Sequence, residues 1–480
     1  MNYRLIIKML GRLLLVEAAL FAIPMAVALI YHEETTLFAF AVPMAVGVIG
    51  AVVIRLLPVN RSKAVYPKEG MVIVALAWIV LSALGALPFT ISGAIPSYLD
   101  SLFETVSGFT TTGASILRDI EALPHSLLFW RSFTHWIGGM GVLVFLLAIL
   151  PQTEMGSMHI LRAEAPGPTV GKLVFKMALT ARILYGIYIA MTLIETVLLL
   201  CGGMPLYDSV LHALGTAGTG GFSCKNASIG AYNSLYIEMV VAVFMLLFGV
   251  NFNLFYLMLL RQFRRAFKNE ELLCYLGIVA ASIALITWNL RSVYGTVGEA
   301  LRYSFFQVSS IISTTGYTTA NIASWPELSR AVLLLLMVFG GCAGSTAGGI
   351  KISHLLILLK AGAQSIRNIL HPREVITVRS EGQVLDQKVV REVCGYWVLY
   401  VAIFFVSLLL ISFDRFEFTA NVSVVTSCLN CVGPAYGSLS SGAMDMSALS
   451  KSVLMLDMLF GRLEVFPVLA LFSPHTWRAS

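Results

Sequence analysis

The sequence predicts an all-α membrane protein in which two extra N-terminal transmembrane helices precede four parallel repeats of span, short helix and span, ten spans in all. Three observations lead to this fold class. Hydrophobic residues make up 58% of the 480 residues and charged residues only 12%, which is about half the charged share usual in a globular protein. Ten apolar stretches are long enough to cross a bilayer. Four segments rich in small residues recur at nearly regular spacing.

The composition also excludes several classes of protein. With so few charges and a mean hydropathy of +0.84, most of the surface must face lipid, which rules out a disordered chain, a collagen-like repeat and a secreted disulfide scaffold. The seven cysteines are an odd, scattered set, and we interpret them as free, small apolar side chains. The net charge of +6 follows from the placement of lysine and arginine along the chain and requires no nucleic-acid partner.

Each of the ten stretches supplies about 20 residues, the length that a helix needs to cross the hydrocarbon core. The stretches are Leu13–Ile30, Leu37–Leu57, Met71–Phe89, Leu127–Leu150, Ile183–Leu200, Ile237–Leu260, Leu272–Leu290, Ala331–Leu359, Trp397–Phe413 and Val453–Phe472. The first follows three basic residues, as in a signal peptide, but its length and the second stretch close behind it favour a retained helix.

The basic residues predict the orientation. With the N-terminus inside, 22 of the 32 lysine and arginine residues fall in inner segments, as the positive-inside rule requires. Ten spans then place both termini in the cytoplasm, in a multi-pass membrane protein.

Four connections on the predicted outer side contain an apolar stretch of about a dozen residues, too short to span but suited to a re-entrant helix. We name these stretches half-helices 1 to 4, and they are Leu99–Phe109, Tyr207–Gly215, Glu299–Ile312 and Phe418–Ser427. Each runs into a segment of small residues, and we name these glycine segments 1 to 4: Thr110–Ser115, Ala217–Phe222, Ser313–Thr318 and Asn430–Ala435.

The four glycine segments align on Gly113, Gly220, Gly316 and Gly433, which are 107, 96 and 117 residues apart. Self-similarity at a nearly constant period indicates one repeated unit, and equal orientation relates the repeats by an axis along the membrane normal. Irregular backbone at membrane depth is tolerated only against protein or water. The sequence therefore predicts a pseudo-fourfold central pore.

This repeat divides the chain into five predicted parts. They are an N-terminal two-helix extension at 1–70, pore repeat 1 at 71–178, pore repeat 2 at 179–271, pore repeat 3 with an intramembrane gating loop at 272–390, and pore repeat 4 at 391–480.

The glycine segments suit cation chemistry. No carboxylate, imidazole or amine stands at the aligned glycines, so the ligands must be backbone carbonyls and hydroxyls, which can replace the hydration shell of a large monovalent cation. The half-helices aim their negative C-terminal ends at the same place. Close helix packing is the alternative for any one segment, but a fourfold recurrence favours the pore.

The eighth apolar stretch is interrupted at Phe339–Lys351, which we name the glycine-rich loop. Glycine disfavours helix by about 1 kcal/mol relative to alanine, so the span is predicted to unwind beneath the pore segments, where the loop could block or open the passage. A kink with tight helix packing is the alternative. The predicted gate residues are Gly340, Gly341, Gly344, Ser345, Thr346, Gly348, Gly349, Lys351 and, from the tenth stretch, Arg462.

Arg462 is an unusual residue at membrane depth, where arginine carries an insertion cost of roughly 2.5–3.5 kcal/mol. We expect it to face the pore or a partner, with Glu464, Asp457 or the carbonyls of the glycine-rich loop as candidates. A fixed positive charge on a cation path acts as a barrier. We therefore predict that Arg462 and the glycine-rich loop together form the gate.

These features resemble the TrkH/KtrB/HKT superfamily of potassium transporters, and its TrkH branch in particular, over the whole chain. The resemblance rests on the two extra spans, the four glycines, the GCAGSTAGG sequence of the loop and the arginine of GRLE. It implies a selectivity filter formed by Thr111, Thr112, Gly113, Gly218, Thr219, Gly220, Thr314, Thr315, Gly316, Cys431, Val432 and Gly433. Sodium-preferring plant relatives carry serine at the first filter glycine, so Gly113 favours potassium. Segment 4 has fewer hydroxyl groups, and the filter is expected to be only approximately fourfold.

The resemblance also implies partners. It implies potassium as the transported ion, no organic cofactor in this chain, a lipid environment, a homodimer, and a cytosolic TrkA-like nucleotide-binding regulatory subunit. The basic inner segments Leu161–Arg182, Arg261–Lys268 and Lys360–Arg391 are candidate docking surfaces for that subunit, although the positive-inside bias explains the same residues.

The function predicted from these features and the resemblance is channel-like potassium uptake across the bacterial inner membrane. The membrane potential is the driving force, and it supplies about 2.3 kcal/mol per 100 mV to a monovalent ion. The alternative is a K+/H+ or K+/Na+ symporter, which would bury a carboxylate on the path. The span acids Glu17, Glu195, Glu238 and Glu464 are candidates for that role. An enzyme is not expected, because the sequence shows no nucleophile–base pair or metal-ligand set at membrane depth.

Overall fold

The computed structural model describes residues 1–56, 67–141, 177–371, 373, 377–381, 383–439 and 442–477. Across these ranges the fold is helical, apart from an antiparallel pair of two-residue strands, Arg379–Ser380 and Gln383–Val384. Six described helices are long and apolar enough to cross a membrane: Tyr3–Ile30, Glu34–Leu56, Lys68–Ile91, Ala181–Cys201, Glu270–Leu290 and Gln387–Asp414. The predicted all-α membrane fold class is confirmed.

The N-terminal extension packs against the first repeat. Helices Tyr3–Leu20 and Ala22–Ile30 follow each other with one residue between them, and Glu34–Leu56 returns beside them. The Phe21 ring lies 4.7 Å from the Trp130 ring, and both side chains are buried. The first stretch is therefore an integral part of the helical core.

All four half-helices are present, and each is surrounded by protein along most of its length. They are Tyr98–Phe109, Leu206–Gly218, Val297–Ile312 and Phe418–Leu429, within three residues of the predicted bounds. Ser97 and Thr296 cap the first and third by accepting a hydrogen bond from a first-turn N–H, which is the usual role of these residue types at a helix start.

The helix that precedes each half-helix is continuous, whereas the helix that follows it is interrupted in repeats 2, 3 and 4. The four preceding helices are Pro67–Ile91, Met177–Cys201, Glu270–Leu290 and Gln387–Ile411. The following helices are His125–Gly139, then Leu235–Phe248 with Phe252–Leu259, then Glu327–Val338 with Ile352–Leu370, and finally Ala448–Arg462 with Phe466–Phe472. The pair Leu235–Phe248 with Phe252–Leu259 is bent by 92°.

The sequence predicted one such break, in the eighth stretch, and the structure adds two. The helix before Gly249 stops there and Asn251 caps the next one, while Glu464 and Val465 adopt left-handed backbone after Arg462. The predicted sixth and tenth spans are therefore not continuous helices. The fourth, Leu127–Leu150, is described as far as residue 141 and beyond that lies outside the described residues.

The remaining elements are short. They are the α-helices Phe263–Phe267 and Pro474–Trp477 and the 3-10 helices Ser228–Tyr232, Ile322–Ser324, Ser412–Asp414 and Gly437–Leu439.

Candidate ion pathway

Each half-helix ends in the same backbone cap. In half-helix 1 the N–H of Thr111 donates to the Gly108 carbonyl at 3.1 Å, and the N–H of Thr112 donates to the Ser107 carbonyl at 2.9 Å. This pair of bonds is the Schellman motif, which satisfies the last carbonyls of a helix. The same two bonds recur as Thr219 to Thr216 with Gly220 to Gly215, Thr314 to Ile311 with Thr315 to Ser310, and Cys431 to Cys428 with Val432 to Ser427.

The first residue of each cap adopts left-handed backbone although it is not glycine. Thr111, Thr219, Thr314 and Cys431 have φ of 57°, 54°, 58° and 54°. Such a conformation costs an L-residue of order 1–3 kcal/mol and persists only where the surroundings impose it. Its recurrence at four helix ends makes these positions the candidate functional site.

We name these four left-handed residues the cap residues. A glycine with positive φ lies two positions after each of them. These glycines are Gly113, Gly221, Gly316 and Gly433, with φ of 80°, 77°, 87° and 102°. The aligned glycine of repeat 2 is thus Gly221, and the predicted Gly220 is one residue out of register. Half-helix 2 continues to Gly218 and Thr219 forms its cap, so Gly220 occupies the position of Thr112.

The four glycines contact one another's segments in a closed ring. A Cβ atom added to Gly113 would overlap the carbonyl oxygen of Gly220 in the next repeat. The same overlap pairs Gly221 with Thr315, Gly316 with Val432 and Gly433 with Thr112. We name the carbonyls of Thr112, Gly220, Thr315 and Val432 the carbonyl ring. Glycine is required beside each of these carbonyls because a side chain has no room.

Side-chain hydroxyls at the level of the ring bind their own helix ends. The Thr112 hydroxyl lies 2.8 Å from that of Thr110, and the Thr315 hydroxyl lies 2.7 Å from that of Ser313. Gly220 and Val432 have no hydroxyl to offer. The oxygen atoms that all four repeats share at this level are therefore the backbone carbonyls, which are suitable ligands for a dehydrated monovalent cation.

The residues predicted as a gate lie against the cap residues. The Thr111 hydroxyl accepts a hydrogen bond from Arg462 Nη1 at 3.1 Å, and the Thr314 hydroxyl accepts one from the Gly348 N–H at 2.8 Å. Gly348 also packs so closely on Cys431 that a Cβ atom there would lie 2.6 Å from the cysteine Cβ. The structure brings Arg462 and the glycine-rich loop to the base of the glycine segments.

Arg462 joins the loop to the first repeat. Its guanidinium donates to the Thr346 carbonyl at 2.8 Å and to the carbonyls of Gly138 and Gly139 at 2.5 and 2.6 Å. The predicted partnership with the loop carbonyls is present. Of the other predicted partners, Asp457 accepts from the Ser407 hydroxyl at 2.7 Å, and Glu464 interacts electrostatically with Lys351.

The glycine-rich loop is held by the second repeat as well. Its Cys342 N–H donates to the Gly249 carbonyl at 2.8 Å, and its Gly344 carbonyl accepts from the Phe252 N–H at 3.0 Å. A Cβ atom on Gly341 would lie 2.5 Å from the same Gly249 oxygen. Together with the contacts above, the loop and Arg462 touch all four repeats, and we name the two together the floor layer.

One carboxylate binds both the loop and the first turn of the helix that follows it. Glu271 Oε1 accepts from the Ala343 N–H at 2.7 Å and from the Ser353 N–H at 3.0 Å. The Lys351 ammonium turns back into the loop and donates to the Gly348 carbonyl at 3.0 Å. The predicted gate lysine therefore stabilises the loop's own fold. The remaining predicted gate residues, Gly340, Ser345 and Gly349, lie within the same loop.

Sequence reasoning missed two charged residues near the carbonyl ring, Glu104 and Arg131, which are almost fully buried and paired with each other. Two opposite charges within apolar stretches were the available signal, but only the fold brings them together.

Comparisons with known proteins agree with this geometry. The family model for TrkH, described as cation transport protein, matches residues 43–478. The chain is 36% identical over 488 residues to the Trk system potassium uptake protein TrkH of Salmonella typhimurium, with 100% of each chain covered. It is 32% identical to the Trk system potassium uptake protein TrkG of Escherichia coli, covering 100% of this chain and 99% of the relative. The crystal structure of the potassium transporter TrkH from Vibrio parahaemolyticus superposes with a TM-score of 0.90 at 32% identity, with complete coverage of both chains.

Proposed function

This chain belongs to the TrkH family of cation transport proteins, and we propose that it takes up potassium ions through the carbonyl ring. The observation that carries the proposal is the closed ring itself, in which each of four repeats presents one backbone carbonyl beside the glycine of its neighbour. Its relatives of the same length are potassium uptake proteins by name, and potassium is the cargo that this ring would select.

The ring offers the chemistry that a potassium ion needs. Carbonyl oxygens in successive positions replace the water that the ion loses, and the half-helices end immediately before the ring, so their negative ends face the cation. No carboxylate stands at the aligned positions. Because carbonyl groups bind a cation less strongly than a full negative charge does, an ion could leave the ring and pass through.

The floor layer is proposed to be the gate. It lies directly below the cap residues, it carries the positive charge of Arg462, and its loop is fixed by hydrogen bonds rather than by a continuous helix. A cation leaving the ring towards the cytoplasm would meet this charge first. Opening requires Arg462 or the loop to leave the cap residues.

The membrane potential is the proposed driving force. A monovalent cation gains about 2.3 kcal/mol per 100 mV, which supports roughly 50-fold accumulation. We further propose the bacterial inner membrane as the location, with both termini cytoplasmic, a homodimeric assembly and a TrkA-like nucleotide-binding subunit on the inner face. The helix Phe263–Phe267 displays Arg264 and Arg265 there, whereas residues 161–176 of the first docking segment and residues 372, 374–376 and 382 of the third lie outside the described residues.

Uptake into vesicles tests the proposal. The purified protein, reconstituted in lipid vesicles, should accumulate rubidium when the interior is made negative and should accumulate sodium far less. The uptake should persist when proton and sodium gradients are absent. Uptake that requires either gradient would instead identify a symporter, and equal uptake of sodium would contradict a selective ring.

A further inference from the structure

A buried ion pair contacts the residues that follow the ring glycines of repeats 1 and 2. Arg131 Nε lies 2.7 Å from Glu104 Oε1, and the two side chains are 1% and 0% exposed. Glu104 belongs to half-helix 1, and Arg131 belongs to the helix His125–Gly139 that follows glycine segment 1. Burying two charges is costly unless the pair is hydrogen-bonded on its other sides, so the partners of this pair are informative.

The Glu104 carboxylate binds the backbone that follows Gly113 in glycine segment 1. Glu104 accepts hydrogen bonds from the Ser115 hydroxyl at 3.0 Å and 3.1 Å and from the Ile116 N–H at 3.1 Å. Ser115 is two residues beyond Gly113. The carboxylate therefore fixes the end of glycine segment 1 against its own half-helix.

The guanidinium of the pair reaches the second repeat. Arg131 Nη2 donates to the Ser115 hydroxyl and Nη1 donates to the Ser223 carbonyl, each at 3.3 Å. Its central carbon lies 4.0 Å from the centre of the Phe222 ring, and Phe222 directly follows the ring glycine Gly221. One side chain thus contacts the exits of two adjacent glycine segments.

The equivalent position in the other half-helices carries no such pair. In each cap the longer of the two hydrogen-bonded turns ends on the carbonyl of Ser107, Gly215, Ser310 or Ser427. The residues three positions before these carbonyls are Glu104, His212, Gln307 and Val424. His212 Nε2 lies 2.9 Å from the Ser223 hydroxyl, which repeats the contact with the segment exit. Gln307 has no hydrogen-bond partner for its amide among the described residues. Among the described residues at this position, the ionic contact occurs only on the side of the ring formed by repeats 1 and 2.

We propose that Glu104 and Arg131 are positioning residues that set the spacing of the carbonyl ring between repeats 1 and 2 and thereby its discrimination between potassium and sodium. This inference rests on the proposed function. A charge near the ring also acts on the passing ion: Glu104→Gln leaves a buried positive charge that repels cations, whereas Arg131→Met leaves a negative one that attracts them. A structural role alone predicts the same direction for both variants.

The test measures rubidium and sodium uptake by full-length protein in vesicles for Glu104→Gln, Arg131→Met and the double variant. The rubidium-to-sodium uptake ratio should fall about tenfold in each single variant, the change expected from losing one hydrogen bond to a charged group. The absolute rubidium rate should fall in Glu104→Gln and fall less or rise in Arg131→Met. The double variant should recover rate without recovering the uptake ratio, because the bond to Ser223 is still missing.

The matched control is Glu238→Gln. Glu238, in the helix Leu235–Phe248, accepts two hydrogen bonds from Arg302, at 2.6 and 2.7 Å. Arg302 lies in the first half of half-helix 3, away from the ring. The same loss of charge there should leave the uptake ratio as in the wild type. If Glu104→Gln does not fold, Glu104→Asp keeps the charge on a shorter side chain and should still lower the ratio.

The outcomes separate the two proposals. A wild-type protein that takes up no rubidium overturns the proposed function. If the wild type is selective but the Glu104 and Arg131 variants keep its rubidium-to-sodium uptake ratio, the positioning role is overturned. If both single variants lose the same amount of rubidium uptake rate, the pair is only a structural contact.

Discussion

The carbonyl ring and the floor layer lie next to each other, yet the four repeats build them in opposite ways. At the ring, every repeat supplies the same cap, a left-handed cap residue and a glycine two positions later. At the floor, each repeat differs: the helix ends at Gly139 in the first, breaks at Gly249 in the second, opens into Phe339–Lys351 in the third and stops at Arg462 in the fourth.

This difference fits the task proposed for each layer. A dehydrated cation needs oxygen ligands from all sides at once, so each repeat must contribute one in the same geometry. An obstruction needs to come from one direction only, so one repeat can extend a loop while another supplies a charge. Symmetry is kept in the layer proposed to bind ions and lost in the layer proposed to control their passage.

The largest effect is expected from adding one methyl group to the ring, which tests whether all four repeats must keep the same geometry there. Gly113→Ala places a Cβ on the Gly220 carbonyl at a φ of 80°, so either the ring widens or the segment changes conformation. We expect rubidium uptake in vesicles to be abolished, or to lose its preference over sodium.

The matched control for that variant is Gly93→Ala. Gly93 has almost the same φ, 77°, but nothing lies within 4 Å of an added Cβ. This variant carries the backbone strain without the overlap and should transport normally. Similar losses in both variants would show that strain, and not crowding of the carbonyls, causes the defect.

Removing the charge from the floor should have the opposite effect. Arg462→Ala deletes the hydrogen bonds to Thr346, Gly138 and Gly139, and the loss of even one bond from a charged donor corresponds to about tenfold or more in an equilibrium. We expect rubidium uptake to rise by about that factor with an unchanged preference over sodium. Arg462→Lys keeps the charge and should stay closer to the wild type. Unchanged uptake in the alanine variant would remove Arg462 from the gate.

The smallest effect is expected at the contact between the two layers. Thr314→Val removes the acceptor for the Gly348 N–H while keeping the shape of the side chain. Loss of one neutral hydrogen bond, about 1 kcal/mol, corresponds to roughly fivefold, so uptake should rise about that much. Thr196→Val removes a hydroxyl bond inside a spanning helix and serves as the control. Equal responses would show that the loop does not rest on Thr314.

Much of the fold could be predicted from the sequence because its signals are local. Apolar length defines the spans and the half-helices, and glycine marks three of the four ring positions together with the glycine-rich loop. Segment 2 was misaligned because it contains three glycines, Gly218, Gly220 and Gly221, and the choice among them depends on where the preceding helix ends.

Other features depend on tertiary contacts that no local pattern encodes. Glu104 and Arg131 are 27 residues apart, and their pairing depends on how half-helix 1 packs against the next helix. The break after Arg462 is different, because Pro467 near the start of the next helix has no N–H to bond to the Leu463 carbonyl and disfavours helix at the residue before it. That local signal was present in the tenth stretch, and the predicted span overlooked it.

The ring closes between the beginning and the end of the chain. Gly433 packs on the Thr112 carbonyl, and the bonds from Lys451 to Asp100 and from Arg462 to Thr111 each join residues 351 positions apart. Folding during synthesis proceeds from the N-terminus. The ring therefore stays open after three repeats have been made and closes only when the fourth has been synthesised. A premature stop codon anywhere before position 433 would therefore remove the whole passage and not one quarter of it.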